Sequence, residues 1–346
     1  MTDKRIAILG AGAIGGAIAG FLARAGVPVT VIDMWPENIE MIRTNGVKIT
    51  TIEDEFVASP AIALHMSDVS TSGELYDIVF LAVKSYDTNW ACHFIKPYLA
   101  PGGFVVSTQN SINEDAIANV LGWTRVVGAV VTFGAGIYAP GHVTFTSPRE
   151  RTPFVVGEPS GLVTSRVKEV VSILENISGG GVTATTNLWG QRWSKLCVNS
   201  MANALAGATG LKSAETREVP EALRMCIRIA AEVVNVGTAH GVAIDPITGV
   251  DAELYPQAIT DGAAMEDVEG ILRSGARQVG VGRPSLAQDL MKGRRIEVDY
   301  LNGYVAAKGA EVGIATPVND AIRGLANRVA SGELAQSIDN LSQIPQ

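Results

Sequence analysis

Hydrophobic positions in the first half of the chain follow two alternating periods. Short β-branched runs fall at residues 5–9, 29–32, 78–83, 104–107 and 126–131. Apolar runs of that length, bounded by turn residues, predict strands. Between several of them lie stretches of helical period, at 14–25, 36–45, 88–98 and 113–121. Strand–helix alternation predicts an α/β unit, a doubly wound parallel sheet covered on both faces and wound by right-handed crossovers. Residues 47–65 read as added strands, and 132–157 as strands and turns around Pro140-Gly141. A helix at 163–176 is stopped by Gly179-Gly180-Gly181, and one more strand follows at 182–186. Beyond Asn187 the pattern becomes helical only, at 188–208, 220–240, 284–291 and 294–312. The change of character predicts a boundary near 180–190, dividing the chain into an α/β domain (1–187) and an all-helical domain (188–346). The final fifteen residues are polar and are expected to be loosely held.

Composition narrows the function classes. Charged residues make up 18% and apolar ones 47% of the 346 residues, against a norm of ~25% charged, so disorder is excluded. A net charge of −8 argues against a nucleic-acid partner but leaves room for a local basic pocket that takes a small anion. Cys92, Cys197 and Cys226 are odd in number and widely spaced, which predicts buried reduced thiols in a cytoplasmic protein rather than a disulfide framework or zinc motif. His65, His93, His142 and His240 never pair at ligand spacing, so no metal site is expected. Residues 6–23 carry no charge and follow Lys4-Arg5, which imitates a signal peptide or a membrane span. Five glycines within that stretch, and the strand directly after it, favour another reading.

That reading is a strand, then Gly10-Ala11-Gly12-Ala13-Ile14-Gly15, then a helix. G-x-G-x-x-G in the context strand–loop–helix–strand–acid is the fingerprint of dinucleotide binding. Gly10 permits the tight turn, Gly12 lets a pyrophosphate approach the backbone, and Gly15 allows close packing of helix and strand. The helix N-terminus offers free N–H groups and a positive dipole end to phosphates. Asp33 ends the next strand, where a carboxylate accepts from both ribose hydroxyls and repels a 2′-phosphate. No Lys or Arg follows before Arg43, so NAD(H) is expected over NADP(H).

In the second half, Lys195, Asn199 and Asn203 recur every four positions among Leu196, Cys197, Val198, Met201 and Ala202. On a helix they share one face. An enclosed lysine and two enclosed asparagines need partners, which a substrate can supply. Downstream, Ser285 to Gly303 gathers Gln288, Asp289, Arg294, Arg295, Glu297 and Asp299. Spacing alone does not choose Glu297 over Asp289 or Asp299.

The order and spacing of the glycine loop, Ala82-Val83-Lys84, Gln109-Asn110, the Lys195/Asn199/Asn203 helix, Pro284-Ser285 with Gln288-Asp289, and Glu297-Val-Asp299-Tyr300-Leu-Asn302-Gly303 resemble the ketopantoate reductase family (2-dehydropantoate 2-reductases). The resemblance implies a Rossmann domain that binds the dinucleotide, a helical domain for substrate and dimerisation, and an active site in the cleft between them. It implies Lys195 as the catalytic lysine and Glu297 as its acidic partner. It further implies Asn199, Asn203 and Ser285 as the substrate-binding set, and Lys84 and Asn110 at the nicotinamide-ribose end. The implied partners are a small keto or hydroxy acid and a second copy of the chain. Three features depart from the family pattern. Asp33 stands where NADPH-using members carry a basic or polar residue, Asn203 precedes Ala204 instead of proline, and residues 249–282 form a longer segment.

These roles agree with the chemistry. Hydride delivery to a ketone builds negative charge on oxygen, which a lysine ammonium stabilises and then protonates. The alternatives are dehydrogenation of a different hydroxy acid or secondary alcohol, a phosphorylated substrate met by Arg192, Arg294 or Arg295, and a non-catalytic NAD sensor.

Overall fold

The computed structural model describes residues 3–147, 153–177, 181–275 and 284–345. They form two compact units, Met1–Leu188 and Trp189–Gln346.

The first unit runs β1 (Ile6–Leu9), α1 (Ala13–Arg24), β2 (Val29–Asp33), α2 (Pro36–Asn45), β3 (Val47–Thr50), β4 (Glu55–Ala58), β5 (Ile62–His65), α3 (Val69–Ser72), β6 (Tyr76–Leu81), α4 (Thr88–Ile95), β7 (Leu99–Ser107), α5 (Glu114–Leu121), β8 (Val126–Val131), β9 (Ala135–Ala139), β10 (His142–Phe145), β11 (Phe154–Gly157), α6 (Ser165–Leu174) and β12 (Thr183–Thr185). Its main sheet has the order β12-β11-β8-β7-β6-β1-β2-β5. From β5 to β8 all pairs are parallel, while β11 pairs antiparallel with β8. The chain leaves β1 toward β2 on one side and returns to β6 on the other, so the sheet has its topological switch point between β1 and β6, where α/β sheets bind ligands. Successive residues explain the unbroken apolar strands. Ile6 and Ile8 join one buried cluster and Ala7 and Leu9 the other, one on each face of the sheet.

A second sheet, β4-β3-β10-β9, packs on α1. A Cβ at Gly16 would lie 2.8 Å from Val143, and one at Gly20 would lie 2.7 Å from Ile49. The glycines of the deceptive apolar stretch therefore form the face that lets helix and sheet meet.

The second unit is helical: most of α7 (Leu188–Thr209), then α8 (Glu215–Glu218), α9 (Pro220–Ala239), α10 (Leu254–Thr260), α11 (Gly262–Ser274), α12 (Ser285–Met291), α13 (Asn302–Glu311) and α14 (Pro317–Ala330). The longer segment at 249–282 is α10 and α11, with its last residues outside the described ones. Among the described residues no helix is long and apolar enough to cross a membrane.

Two sequence expectations are corrected. The helix read at 294–312 starts only at Asn302; before it, Val298–Tyr300 form one 3₁₀ turn and Ile296 and Glu297 are buried outside any helix. The final residues are not loose. Gln336 Nε2 donates to Gly207 O at 2.9 Å, and Asn340 Nδ2 to Ala208 O at 2.9 Å. These groups satisfy carbonyls at the end of α7, which no helical N–H reaches. Leu341 and Ile344 are buried beside them.

Candidate active site

The candidate dinucleotide-binding residues lie at the carboxyl ends of the strands in the first unit. Gly10 takes φ +98°, and a Cβ there would come within 2.9 Å of the Ala82 and Val83 backbone. At Gly15 a Cβ would sit 1.8 Å from the Gly10 carbonyl oxygen, so only glycine fits. Gly12 behaves differently, since a Cβ there meets nothing within 4 Å. Glycine at that position answers no demand of the protein itself and keeps space open at the start of α1. That helix begins with Gly12 as cap and no side chain on its free N–H groups. An open approach to uncapped N–H groups fits a pyrophosphate.

Asp33 ends β2 and is partly buried. One carboxylate oxygen accepts from the Ala11 N–H and the other from the Trp35 N–H, the latter at 2.8 Å. The second bond is an Asx turn. Each carboxylate oxygen carries more than one lone pair, the acceptor chemistry that ribose hydroxyls require. Asn38, fully buried on α2, extends it. Its Nδ2 donates to Ala11 O at 3.0 Å, and its Oδ1 accepts from Gly141 N–H at 2.7 Å.

Lys84 and Asn110 stand on the loops after β6 and β7. Buried side chains stitch the two loops together. Gln109 Nε2 donates to Val83 O at 3.0 Å and to Thr88 Oγ1 at 2.8 Å, while Asn113 Nδ2 donates to Asn110 O at 2.7 Å. Ser111, between them, adopts φ +68°, a left-handed conformation unusual for a side-chain-bearing residue.

A pair of substitutions separates the glycine roles. Gly12→Ala is expected to keep the melting temperature and weaken NADH binding, read by fluorescence titration. Gly15→Ala is expected to cost more than about 3 kcal/mol of stability and to abolish binding, because a backbone clash must be relieved. Equal behaviour of the two variants would contradict these roles.

A second group of candidate residues is on α7 and around α12, within the second unit. Lys195, Asn199 and Asn203 follow one another at helical spacing. Lys195 is partly enclosed. It makes no hydrogen bond or ion pair to another described residue, Glu297 included. Burial, with no carboxylate to oppose it, draws its ammonium down from the ordinary lysine value to about 8. Asn203 is buried and joins three pieces of chain: its Nδ2 lies 3.2 Å from Asn199 O and 3.3 Å from Asn199 Oδ1, and its Oδ1 accepts from Ser285 Oγ at 3.0 Å and Leu286 N–H at 3.1 Å. The structure thus assembles Asn199, Asn203 and Ser285 into one network.

Among the acids that spacing left open, Asp299 is exposed and pairs with Arg323 at 2.6 Å, whereas Asp289 and Glu297 are buried. Arg192 is fully buried on α7, and Arg294 and Arg295 are exposed. The three cysteines are buried, and burial raises each thiol, Cys92 and Cys226 to about 12, so they are inert at neutral pH.

Residues 6–160 match the family model described as ketopantoate reductase PanE/ApbA, and residues 187–330 match the model of its C-terminal region. The chain belongs to the ketopantoate reductase family. It is 27% identical over 336 residues to a 2-dehydropantoate 2-reductase of Archaeoglobus fulgidus, covering 96% of this chain and 100% of the relative. It is 29% identical to the enzyme of the same name from Pyrococcus abyssi, over 93% of this chain and 96% of the relative. The crystal structure of a family ketopantoate reductase from Ralstonia eutropha JMP134 superposes with a TM-score of 0.77 at 28% identity, over 95% of this chain and 99% of that one. A ternary structure of D-mandelate dehydrogenase with NADH and anilino(oxo)acetate shares the fold, with a TM-score of 0.78 at 24% identity, over 95% and 99% of the two chains. As a ketopantoate reductase family member, the chain is an oxidoreductase that works with a pyridine nucleotide.

Sequence reasoning missed Asn38, Gln109 and Asn113 as supports of the loops around the candidate dinucleotide-binding residues. The available signal was a polar residue on an otherwise buried face, as with Asn38 beside Ile39 and Ile42.

Proposed function

We propose that this enzyme reduces a 2-keto acid, ketopantoate foremost, with NADH, and that Lys195 is the proton donor. The observation that carries the reading is Lys195 itself: an enclosed ammonium, unpaired among the described residues and drawn down to about 8, on the same helix face as two buried asparagines. The names of the Archaeoglobus and Pyrococcus relatives support ketopantoate as substrate. Asp33 supports NADH, because its carboxylate matches ribose hydroxyls and opposes a 2′-phosphate.

In this reading the loop from Gly10 through Ala11, Gly12, Ala13 and Ile14 to Gly15 holds the pyrophosphate on the N–H groups of α1. Asp33 holds the adenine ribose, and Lys84 and Asn110 line the nicotinamide-ribose end. A bound reduced nicotinamide supplies the hydride. Lys195 Nζ stabilises the negative charge that grows on the keto oxygen and gives that oxygen a proton. In the reverse direction the neutral amine takes the proton of the alcohol. Glu297 orients the substrate hydroxyl. Asn199 and Ser285, tied through Asn203, bind the remaining polar groups of the substrate.

The test is a screen of the purified chain in both directions, with NADH and NADPH, against ketopantoate, other 2-keto acids and a set of hydroxy acids, following nicotinamide absorbance. The highest kcat/KM is expected for ketopantoate with NADH. Turnover confined to a secondary alcohol, or none although dinucleotide binds, would defeat the reading.

A further inference from the structure

We propose that Asn302 is a positioning residue for the reaction: it ties the segment that carries Glu297 to the helix that carries Lys195. The proposal rests on the reading above that Lys195 and Glu297 act on the same substrate.

Asn302 opens α13, and only the 3₁₀ turn Val298–Tyr300 and Leu301 separate it from Glu297. Ser200 lies on α7, a turn and a half beyond Lys195. Asn302 Nδ2 donates to Ser200 O at 3.3 Å, and both residues are fully buried. Ser200 O stands in the interior of α7, where carbonyls already accept a helical N–H. The bond from Asn302 is therefore not needed to complete the helix. Its effect is to join two stretches of chain 102 residues apart. A helix rises ~1.5 Å per residue as a stiff rod, so fixing Ser200 also fixes the Lys195 backbone about 7.5 Å along it. Ile296, Val298 and Leu301 are buried on the Glu297 segment. Apolar burial is non-directional and lets a segment slide, whereas a hydrogen bond between two held atoms selects one position.

The direction of the Asn302 amide is set from its other side. Glu232, on α9, accepts from the Val318 N–H at 2.9 Å, the Asn319 N–H at 2.8 Å and Asn319 Nδ2 at 2.7 Å. The two backbone groups belong to the first turn of α14, whose own N-cap, Thr316, makes no side-chain cap bond. Glu232 thus caps α14 from another helix. Asn319 Nδ2 also donates to Ile229 O at 3.2 Å. That carbonyl only accepts, so this end of the Asn319 amide is nitrogen and the other is oxygen. The oxygen lies 2.9 Å from the Asn302 amide, which turns its nitrogen toward it and toward the Ser200 carbonyl. Asn302 Oδ1 is left buried with no donor among the described residues. An unmet buried acceptor costs stability, so Asn302 is poorly explained as a stabilising residue and well explained as a tie.

The experiment compares two variants of the full-length chain, reading melting temperature and steady-state reduction of ketopantoate by NADH. Asn302→Leu removes the tie with a side chain of similar size. Its kcat is expected to fall by a factor of about 10–10², since misplacing reacting groups by ~1 Å costs up to ~10²-fold, while the KM for NADH stays unchanged. Glu232→Gln keeps an oxygen for both N–H groups of Asn319 and turns an NH₂ group onto the Val318 N–H. It is expected to melt at a lower temperature and to keep the kcat of the unaltered chain, because the Asn302 tie remains. An unchanged kcat in Asn302→Leu overturns the proposal. So does an equal loss of kcat in Glu232→Gln, because turnover would then follow helix packing in general. If Asn302→Leu does not fold, Asn302→Ala, which adds no bulk, is read in its place against the same outcomes. If the unaltered chain binds NADH and reduces no keto acid, the functional reading fails and this proposal falls with it. An active unaltered chain beside an equally active Asn302 variant defeats this proposal alone.

Discussion

Replacing Lys195 by methionine is expected to lower kcat for keto-acid reduction by a factor of about 10²–10⁴, the usual worth of a positioned proton donor, while NADH still binds. The residues assigned to the dinucleotide belong to the first unit and are not touched by the change. The same variant is expected to melt at a higher temperature. Burial draws the Lys195 ammonium down to about 8 in the folded chain, against ~10.4 in an unfolded one. At neutral pH the folded state therefore bears a cost for keeping that proton, and an uncharged side chain of similar length removes it. Loss of turnover together with a gain in stability separates catalysis from folding. The pH dependence carries the same signature. Reduction needs the ammonium, so its kcat/KM should be level below pH ~8 and fall above it; oxidation needs the free amine and should rise through the same pH. Lys195→Arg keeps a charge but holds its proton at every accessible pH, so it should lose turnover and the alkaline limb together. A Lys195→Met variant with near-normal turnover, or an alkaline limb near the ordinary lysine value, would remove Lys195 from the role of acid.

Most of the fold was legible because the strands of a parallel sheet are buried on both sides. Ile6, Ala7, Ile8 and Leu9 all read as apolar, since alternate residues enter different cores. The glycine loop was legible for a local reason: Gly15 is forced by the Gly10 carbonyl five residues back and Gly10 by its own φ of +98°, although the Ala82 and Val83 backbone crowds Gly10 from far along the chain. What escaped were polar residues whose partners lie far along the chain. Asn203 gave its helical face to a periodicity argument, but its duty depends on the Leu286 N–H, 83 residues on. Gln336 and Asn340 made the tail look solvated, although they serve the carbonyls at the end of α7. Around Glu297 a helical period was read where the chain is irregular. The alternation of Arg294-Arg295 with Ile296 and Val298 imitates an amphipathic helix, but Glu297 is buried along with both apolar neighbours. Composition treats polar residues as surface, and these are polar residues used inside.

Asp33→Ala is expected to abolish the cofactor preference. In the unaltered enzyme NADH should be preferred over NADPH by about 10² in kcat/KM, from two sources. Hydrogen bonds from ribose hydroxyls to a carboxylate are worth ~1.5–3 kcal/mol each. A 2′-phosphate carries a charge of about −1.5 to −2, and near the surface a like unit charge 4 Å away costs ~4 kcal/mol. Removing the carboxylate removes both, so the NADH/NADPH ratio should fall by about 10² or more. The hydrogen bonds from Ala11 and Trp35 to Asp33 supply the control that makes this readable. They brace the glycine loop whichever dinucleotide arrives, so their loss weakens NADH and NADPH alike and leaves the ratio unmoved. Asp33→Asn tests that separately. An amide offers one acceptor and one donor end, so it can keep only one of the two N–H groups, and it has no charge to repel phosphate. Affinity for both cofactors should drop through the lost brace, and the ratio should move toward NADPH through the lost charge. A ratio that favours NADPH before any substitution, or that stays fixed in both variants, would show that Asp33 acts on the loop alone and that cofactor choice is made elsewhere.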